Sequence, residues 1–287
     1  MTISRVILIT GSSSGFGLYT AALLAAKGHT VYATMRDLSK SSDLLAEAHT
    51  LGGEANLHIL PLDVTRPDTV RDAVGKILNE QKRIDVLINN AGFGIGGFFE
   101  DLSDAEFRNQ FDVNFFGVLD LTRAVLPSMR SLKKGLIINI SSMCAFSGTP
   151  AFSAYVASKW ALEGFTESLM MELLPFNIKV SLVEPGAYKT KIFFENAKYA
   201  HNFNNTESPY YSRNQFLRAL IDKHMSTNRR DPREVAHTIA HMIDQKDPAF
   251  RNMIGWPSKM RAAFVKFIPF KLYARLVNMV LSPKGSR

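Results

Sequence analysis

Short apolar runs rich in β-branched residues recur along the chain, and each is followed by a longer segment with helical spacing. Buried parallel strands are continuous apolar runs, and the crossover between two of them needs about a dozen residues, as found here. The pattern predicts an α/β protein with a doubly wound parallel sheet and helices on both faces. The runs are RVILIT (5–10), TVYATM (30–35), NLHILPL (56–62), RIDVLINN (83–90), GLIINIS (135–141) and IKVSLVEP (178–185).

The charge of the chain is concentrated at one end. The 287 residues carry a net charge of +8, and the segment 248–287 holds eight Lys or Arg and no Asp or Glu. The rest of the chain is therefore neutral, which argues against a broad nucleic-acid-binding face and for a basic tail that meets an anionic surface or a partner. A single cysteine, Cys144, excludes an intrachain disulfide framework. With no secretory signal and no membrane-spanning apolar run in view, we expect a cytoplasmic protein.

We expect one domain over residues 1–287, with two special regions. The segment from Phe193 to Asn214 is polar and aromatic without a clear period. Such a long irregular segment predicts a substrate loop or lid at 190–230, with a mobile surface loop as the alternative. The extension at 257–287 is basic and apolar, and after Pro269 it predicts an apolar helix with one narrow polar stripe. That helix could lie peripherally on a membrane, cover a substrate pocket or pack in an oligomer.

The stretch SRVILITGSSSGFGLYTAALLAAKG places a glycine turn between a strand and a helix. Backbone N–H groups at the helix start favour a phosphate in the turn. Gly11 permits the tight turn, Gly15 lets the backbone approach a ligand, and Gly17 allows close helix packing. The same turn also fits the nucleophile elbow of a serine hydrolase through Ser13, and its context alone does not separate the two hypotheses.

Tyr155 and Lys159, in SAYVASKWALEGF, are spaced i and i+4 and so project from one helix face. An ammonium beside a phenol favours the phenolate, and we expect Lys159 to lower the pKa of Tyr155 from about 10 toward neutrality. This pair indicates acid–base chemistry. His237 and His241 have the same spacing, but they lack a third ligand, so we interpret them as surface residues and predict no metal site.

Taken together, the motifs resemble those of the classical short-chain dehydrogenase/reductase family, in the family's order and over roughly two-thirds of the chain. The resemblance implies a Rossmann-type fold and an NAD(P)(H)-dependent oxidoreductase that interconverts an alcohol and a carbonyl. The matching pieces are TGSSSGFG (10–17), LDV (62–64), NNAG (89–92), DVNFFG (112–117), ISS (140–142), YVASK (155–159) and PGAYKT (185–190).

The resemblance also implies roles at the site. Tyr155 would exchange a proton with the substrate oxygen, and Lys159 would lower its pKa and bind the nicotinamide ribose. Ser142, thirteen residues before the tyrosine, would hydrogen-bond the substrate oxygen, and Asn114 would anchor a water that relays the proton. Two alternatives stay open: Ser141 and Ser142 could simply cap a loop, and Asn114 could satisfy helix backbone groups.

The cofactor subtype depends on the end of the second predicted strand. An acid there suits NAD, whereas an arginine accommodates the extra phosphate of NADP. Aligned on the family, the acid's position is Met35, followed by Arg36, so we expect Arg36 and Ser12 to clamp a 2′-phosphate and favour NADP(H). NAD(H) stays possible if Asp37 binds the ribose. The remaining predicted cofactor residues are Gly11, Ser14, Gly15, Phe16, Gly17, Asp63, Val64, Asn90, Ala91, Gly92, Tyr155, Lys159, Pro185, Gly186 and Thr190.

Within the family, the strand end VYATMRD and the long tail resemble hydroxysteroid and retinol dehydrogenases. The resemblance implies a bulky apolar alcohol or carbonyl (a steroid, a retinoid or an aliphatic carbonyl) as substrate. It also implies a homodimer or homotetramer formed through two helices, LDLTRAVLPSM and the helix of Tyr155. A catalytically silent nucleotide-binding sensor or scaffold of the same fold is the alternative to an enzyme.

Overall fold

The computed structural model describes residues 4–188, 198–255, 260, 263–265 and 267–281. A seven-stranded sheet with the order β3-β2-β1-β4-β6-β7-β9 forms its centre, and every pair of neighbouring strands is parallel. The strands are β1 (Val6–Ile9), β2 (Thr30–Met35), β3 (Leu57–Pro61), β4 (Val86–Asn89), β6 (Gly135–Ile140), β7 (Ile178–Pro185) and β9 (Arg251–Ile254).

The six predicted strands are confirmed, and all of them except the edge strand β3 are largely buried between helices. The helices α1, α2 and α8 pack on one face with Ile7 and Ile9 of β1. The helices α3, α5 and α6 pack on the other face with Val6 and Leu8, so the alternating side chains of one strand join two separate cores. The ranges are α1 (Gly15–Ala26), α2 (Ser42–Leu51), α3 (Pro67–Gln81), α5 (Gly117–Leu132), α6 (Ser153–Leu173) and α8 (Arg233–Asp244).

The seventh strand, β9, was not predicted. It pairs with β7 in a register that places Arg251 opposite Leu182 and Ile254 opposite Pro185. Only Ile254 of its four residues is fully buried. The run Arg-Asn-Met-Ile is too short and too polar to read as a buried strand, and its place at the edge of the sheet comes from tertiary packing.

A second, two-stranded parallel sheet joins distant parts of the chain beside the main sheet. Its strands are β5 (Ile95–Gly96) and β8 (Lys198–Tyr199), with Ile95 paired to Lys198. In the described part of the predicted lid, a series of turns follows β8, and a regular helix, α7 (Tyr211–Thr227), comes after them. The prediction of an irregular segment up to Asn214 is therefore wrong for its last residues. Residues 190–197 of the predicted lid lie outside the described residues.

The predicted helix after Pro269 is confirmed as α9 (Phe270–Leu281). No residue of α9 is fully buried. A further short helix, α4 (Asp104–Phe111), begins with a capping box between Ser103 and Glu106 and leads to the functional site. Among the described residues no helix combines the length and the apolar character needed to cross a bilayer.

The packing of the glycine turn predicts the effect of a single methyl group. A Cβ on Gly17 would lie 2.4 Å from the carbonyl oxygen of Gly11 and 2.4 Å from Nδ2 of Asn90. We expect Gly17→Ala to lower the free energy of unfolding by about 1–3 kcal/mol, since neither neighbour can move freely. Urea denaturation measures this change.

Gly75, in the middle of α3, is the matched control because a Cβ there meets nothing within 4 Å. Gly75→Ala should raise stability by about 0.5–1 kcal/mol through helix propensity alone. Equal effects of the two substitutions would contradict the close approach at Gly17.

Candidate active site

The glycine turn after β1 is held by hydrogen bonds to the loop after β4. Thr10 Oγ1 accepts from the N–H groups of Asn90 (3.1 Å) and Ala91 (3.0 Å). The side-chain amide of Asn90 donates to the carbonyl oxygens of Thr10 (2.8 Å) and Gly11 (3.1 Å). The strand order reverses between β1 and β4, and ligands of open α/β sheets bind at such a point. Two predicted cofactor motifs thus meet at the switch point.

The shape of the turn fits a dinucleotide. Gly11 and Gly15 have φ values of +70° and +58°, and a Cβ on Gly11 would lie 2.8 Å from Cα of Ala91. The N-cap residue of α1, Ser14, makes no side-chain cap, so its hydroxyl does not compete for the first-turn N–H groups. Backbone N–H groups that are available above a glycine-rich turn can bind a pyrophosphate. Phe16 packs edge-on against Tyr188, with ring centroids 5.3 Å apart, which joins this turn to the segment after β7.

At the end of β2, Arg36 is exposed and makes no hydrogen bond or ion pair with another described residue. The strand ends at Met35, as predicted, and Asp37 accepts hydrogen bonds from N and Oγ of Ser39. Ser12, however, is fully buried, donates its N–H to the carbonyl oxygen of Thr34 (2.9 Å) and points its hydroxyl toward Ile9. The expectation that the Ser12 side chain helps to clamp a 2′-phosphate is therefore wrong, because it faces the core.

The remaining predicted cofactor residues lie at the same carboxyl edge of the sheet. Asp63 follows β3 and accepts from N (2.9 Å) and Oγ1 (2.8 Å) of Thr65. Val64 is buried against Gly117, where a Cβ would lie 2.7 Å from Cβ of the valine. Pro185 ends β7, and Gly186 follows it. Thr190 lies outside the described residues.

Tyr155, in the first turn of α6, lies beside Ser142, which follows β6. The Ser142 Oγ accepts from the N–H of Cys144 at 3.1 Å and so caps a short 3₁₀ turn, one of the alternatives left open by the sequence. Burial raises the pKa of Tyr155 above its ordinary value, and the coulombic interaction with Cys144 adds to this, while a hydrogen bond with Ser142 opposes it. The phenol of Tyr155 is therefore protonated at neutral pH.

Lys159 lies one helical turn after Tyr155, as the spacing predicts. Its Nζ donates to the carbonyl oxygen of Ile140 at 2.8 Å and lies 5.9 Å from the centroid of the Tyr155 ring. Burial lowers the pKa of Lys159 to about 8, although Glu163 and Cys144 favour the charged form. Burial thus moves the pKa of Tyr155 in the direction opposite to the expected one, and a lowering effect of Lys159 stays a prediction.

Asn114 occupies a π-helical turn, Asp112–Phe116, between α4 and α5. Its Nδ2 donates to the carbonyl oxygen of Phe93 (2.9 Å) and to Oγ of Ser158 (3.1 Å), and its Oδ1 accepts from the N–H of Phe93 (3.1 Å). Such π turns are frequent at functional sites. Asn114 therefore holds the backbone of the loop after β4 against α6.

Sequence reasoning missed Gln110 and Ser158, which complete this support. Gln110 is fully buried, accepts from the N–H of Ile95 (3.0 Å) and donates to the carbonyl oxygen of Phe93 (2.7 Å). Ser158 also donates to the carbonyl oxygen of Tyr155 (2.7 Å). No sequence signal distinguished Gln110 from the other polar residues of α4. As a result, Gly92 lies against Asn114 and Lys159, and Gly94 lies against the Tyr155 ring.

A buried charge cluster lies one turn further along α6. Arg251 Nη1 donates to Glu163 (2.5 Å) and to Glu184 (2.7 Å), so β9, α6 and β7 are joined at one point. Glu184 is completely buried. Burial, together with the Glu163 carboxylate, raises the pKa of Glu184 to about 7, although Arg251 opposes the shift.

Comparison with known proteins agrees with this geometry. The family described as short chain dehydrogenase matches residues 5–199 of the chain. The chain belongs to the short-chain dehydrogenase/reductase family. It is 42% identical over 252 residues to 3-ketodihydrosphingosine reductase of Bacteroides thetaiotaomicron, which covers 88% of each chain. It is 41% identical over 256 residues to retinol dehydrogenase 8 of Homo sapiens, covering 86% of this chain and 80% of that protein.

A solved structure of a metagenomic short-chain oxidoreductase in complex with NADP is also similar. It superposes with a TM-score of 0.68 at 29% identity, over 88% of this chain and 97% of the other. The short-chain dehydrogenase/reductase described here is thus an oxidoreductase with the Rossmann-type fold, and its glycine turn fits a nicotinamide dinucleotide. The serine hydrolase hypothesis falls, because the family assigns the glycine turn to a nucleotide rather than to a nucleophilic Ser13.

The raised pKa of Glu184 predicts a pH-dependent stability. A glutamate pKa near 7 in the folded state and 4.5 in the unfolded state means that the folded state binds more protons between these values. Stability therefore falls as pH rises through 7. We expect Glu184→Gln to remove about 2–3 kcal/mol of the stability difference between pH 5 and pH 8, as measured by urea denaturation.

Glu167→Gln is the control, because Glu167 contacts the same Arg251 at 3.5 Å but its side chain is 58% exposed. That variant should keep the pH dependence of the wild type. An unchanged difference in Glu184→Gln would contradict a buried, protonated Glu184.

Proposed function

We propose that the protein is an NADP(H)-preferring short-chain dehydrogenase/reductase that interconverts a bulky apolar alcohol and the corresponding carbonyl. The observation that carries this proposal is the meeting of three groups at one edge of the sheet. These are the Tyr155 phenol beside Ser142, the Lys159 ammonium one turn further on, and the glycine turn held by Asn90. A catalytically silent scaffold would have no need of the buried tyrosine and lysine.

In this proposal Tyr155 is the acid and Ser142 orients the substrate. The partly buried phenol keeps its proton at neutral pH, so it can donate that proton to a carbonyl oxygen that becomes an alkoxide. The Ser142 hydroxyl donates a second hydrogen bond to the same oxygen. The nicotinamide, when bound, supplies or accepts the hydride. The oxidation direction would run through the same groups in reverse, and Tyr155 would first have to lose its proton.

Lys159 and Asn114 support this acid in the proposal. With a pKa of about 8, Lys159 is mostly charged at neutral pH and can bind a ribose hydroxyl or return a proton to Tyr155. A Cβ on Gly92 would lie 3.2 Å from Oδ1 of Asn114 and 3.8 Å from Nζ of Lys159, so the two groups face the same backbone. A water held there would connect them, as the resemblance to the family implies.

The preference for NADP(H) rests on Arg36. Its guanidinium is exposed directly after β2, the strand whose Thr34 carbonyl oxygen accepts from the N–H of Ser12 in the glycine turn. A free guanidinium binds a phosphate through paired, charge-assisted hydrogen bonds. Asp37, the candidate acid for NAD, already accepts two hydrogen bonds from Ser39, which lower its pKa.

The apolar substrate is supported by aromatic rings along the small sheet. Tyr199 and Phe203 have ring centroids 4.3 Å apart, and Gly96 lies against both Tyr199 and Phe152. Phe152 directly precedes α6, three residues before Tyr155. Two of the similar proteins are named for 3-ketodihydrosphingosine and for retinol, which is consistent with a bulky apolar substrate.

We also propose a homodimer or homotetramer formed through α5 and α6. Large apolar side chains at the ends and outer faces of these helices are about half exposed, which is unfavourable in a monomer. They are Phe116 (50%), Leu132 (51%), Trp160 (52%), Met171 (55%) and Leu174 (58%).

The role of Tyr155 is tested with Tyr155→Phe. We expect the rate of NADPH-dependent reduction to fall by about 10²–10⁴-fold, measured with a panel of aliphatic, steroid and retinoid carbonyls. NADPH binding should be retained. Tyr32→Phe is the control, since the Tyr32 hydroxyl donates to Glu80 of α3 rather than to a residue of the candidate site, and this variant should leave the rate unchanged. Undiminished turnover in Tyr155→Phe would contradict the proposed mechanism.

Cofactor preference is tested by fluorescence titration of NADPH and NADH. Arg36→Ala should weaken NADPH binding by about 10–100-fold, the loss expected for a charge-assisted hydrogen bond, and leave NADH binding unchanged. Lys40→Ala, also exposed and basic, should change neither affinity. A wild type that prefers NADH would assign the ribose contact to Asp37 instead.

A further inference from the structure

Helix α9 leaves an apolar face without a partner among the described residues. Tyr273, Val277 and Leu281 are only half-buried and form its inner side. A second set of apolar side chains falls within about 100° of arc on the outer side, given the pitch of an α-helix. This set, the outer face of α9, is Leu272 (48% exposed), Leu276 (37%), Met279 (65%) and Val280 (65%).

The first residue of α9 and the described residues just before it add further exposed apolar side chains. Two phenylalanines close to the helix start and two residues further upstream have large, exposed side chains. They are Phe270 (76% exposed), Phe267 (82%), Phe264 (55%) and Met260 (55%). Scattered exposed apolar residues are ordinary, but so many within about twenty residues indicate an interaction surface.

Charge decides which partner fits this surface. The segment 248–287 carries eight basic residues and no acidic residue, whereas the rest of the chain is neutral. On α9 itself Lys271 and Arg275 are exposed and form a stripe beside the outer face. A second copy of the helix would bring like charges together, while an anionic lipid surface is complementary to them.

The position of α9 connects this surface to the active site. Tyr273 donates from its hydroxyl to the carbonyl oxygen of Gly148 at 3.1 Å, and Gly148 lies in the loop that runs from Ser142 to α6. Arg213 of α7 donates to Asn278 at 3.3 Å. The helix is therefore attached both to the loop that carries Ser142 and to the region that follows β8.

We propose that α9 docks on the surface of an anionic bilayer as an in-plane helix. Its outer face enters the region between headgroups and acyl chains, while Lys271 and Arg275 contact anionic headgroups. The loop from Ser142 to α6 then lies next to the lipid. Resting on the proposed function, this arrangement lets a bulky apolar substrate pass from the bilayer to Tyr155 without crossing water.

The test is co-sedimentation of the full chain with phosphatidylglycerol vesicles and with phosphatidylcholine vesicles. We expect binding to the anionic vesicles that weakens as salt is raised, and little binding to the neutral ones. Leu276→Glu/Met279→Glu should reduce the partition coefficient by about a hundredfold, from the lost apolar burial. Lys271→Glu/Arg275→Glu should reduce it by about tenfold or more.

Leu45→Glu and Lys246→Glu are matched controls on other exposed surfaces, and both should bind vesicles like the wild type. Thermal unfolding and NADPH titration of every variant show that the fold and the cofactor site are intact, so a failed cofactor site is distinguished from a failed docking surface. Equal binding to both vesicle types, or no loss in the α9 variants, would overturn the proposal. So would a smaller oligomer of Leu276→Glu/Met279→Glu in size-exclusion chromatography, because the face would then be a contact between subunits.

Discussion

The active site depends on the hydrogen bonds that Thr10 and Asn90 make between the turn after β1 and the loop after β4. These bonds satisfy backbone groups that parallel strands leave open at their carboxyl ends. They also bring the glycine turn so close to Asn90 that Gly17 has no room for a side chain. The cradle for a dinucleotide and the start of the loop that leads to Tyr155 are thus one hydrogen-bonded unit.

From that unit, the buried side-chain amides of Gln110 and Asn114 connect the loop after β4 to α6, the helix of Tyr155. Asn114 and Gln110 hydrogen-bond the backbone N–H and C=O groups of Phe93, and Asn114 also donates to Ser158 on α6. The same burial sets the electrostatics: it keeps Tyr155 protonated and brings the pKa of Lys159 to about 8. Burial at this edge of the sheet therefore strengthens the hydrogen bonds and also sets the direction of both pKa shifts.

Most of the sheet could be predicted because its strands are continuous apolar runs. The bounds of β2 and β7 agree with the runs TVYATM and IKVSLVEP residue for residue. Strand β9 could not be predicted, since Arg251 and Asn252 have no strand pattern of their own and are placed by pairing with β7. The prediction of an irregular segment up to Asn214 missed the start of α7 for a related reason. This helix has only three fully buried residues and a weak amphipathic pattern.

At the site, the sequence by itself determined which residue types stand at the strand ends, namely the glycines of the turn, Arg36 and Ser142. It also determined that Tyr155 and Lys159 lie one helical turn apart. These follow from local rules, namely backbone freedom at glycine and the pitch of a helix. Only the tertiary structure decided that Ser12 faces the core and that burial raises the pKa of Tyr155. Burial and the direction of a side chain depend on neighbours distant in the chain, and local sequence patterns carry no record of those neighbours.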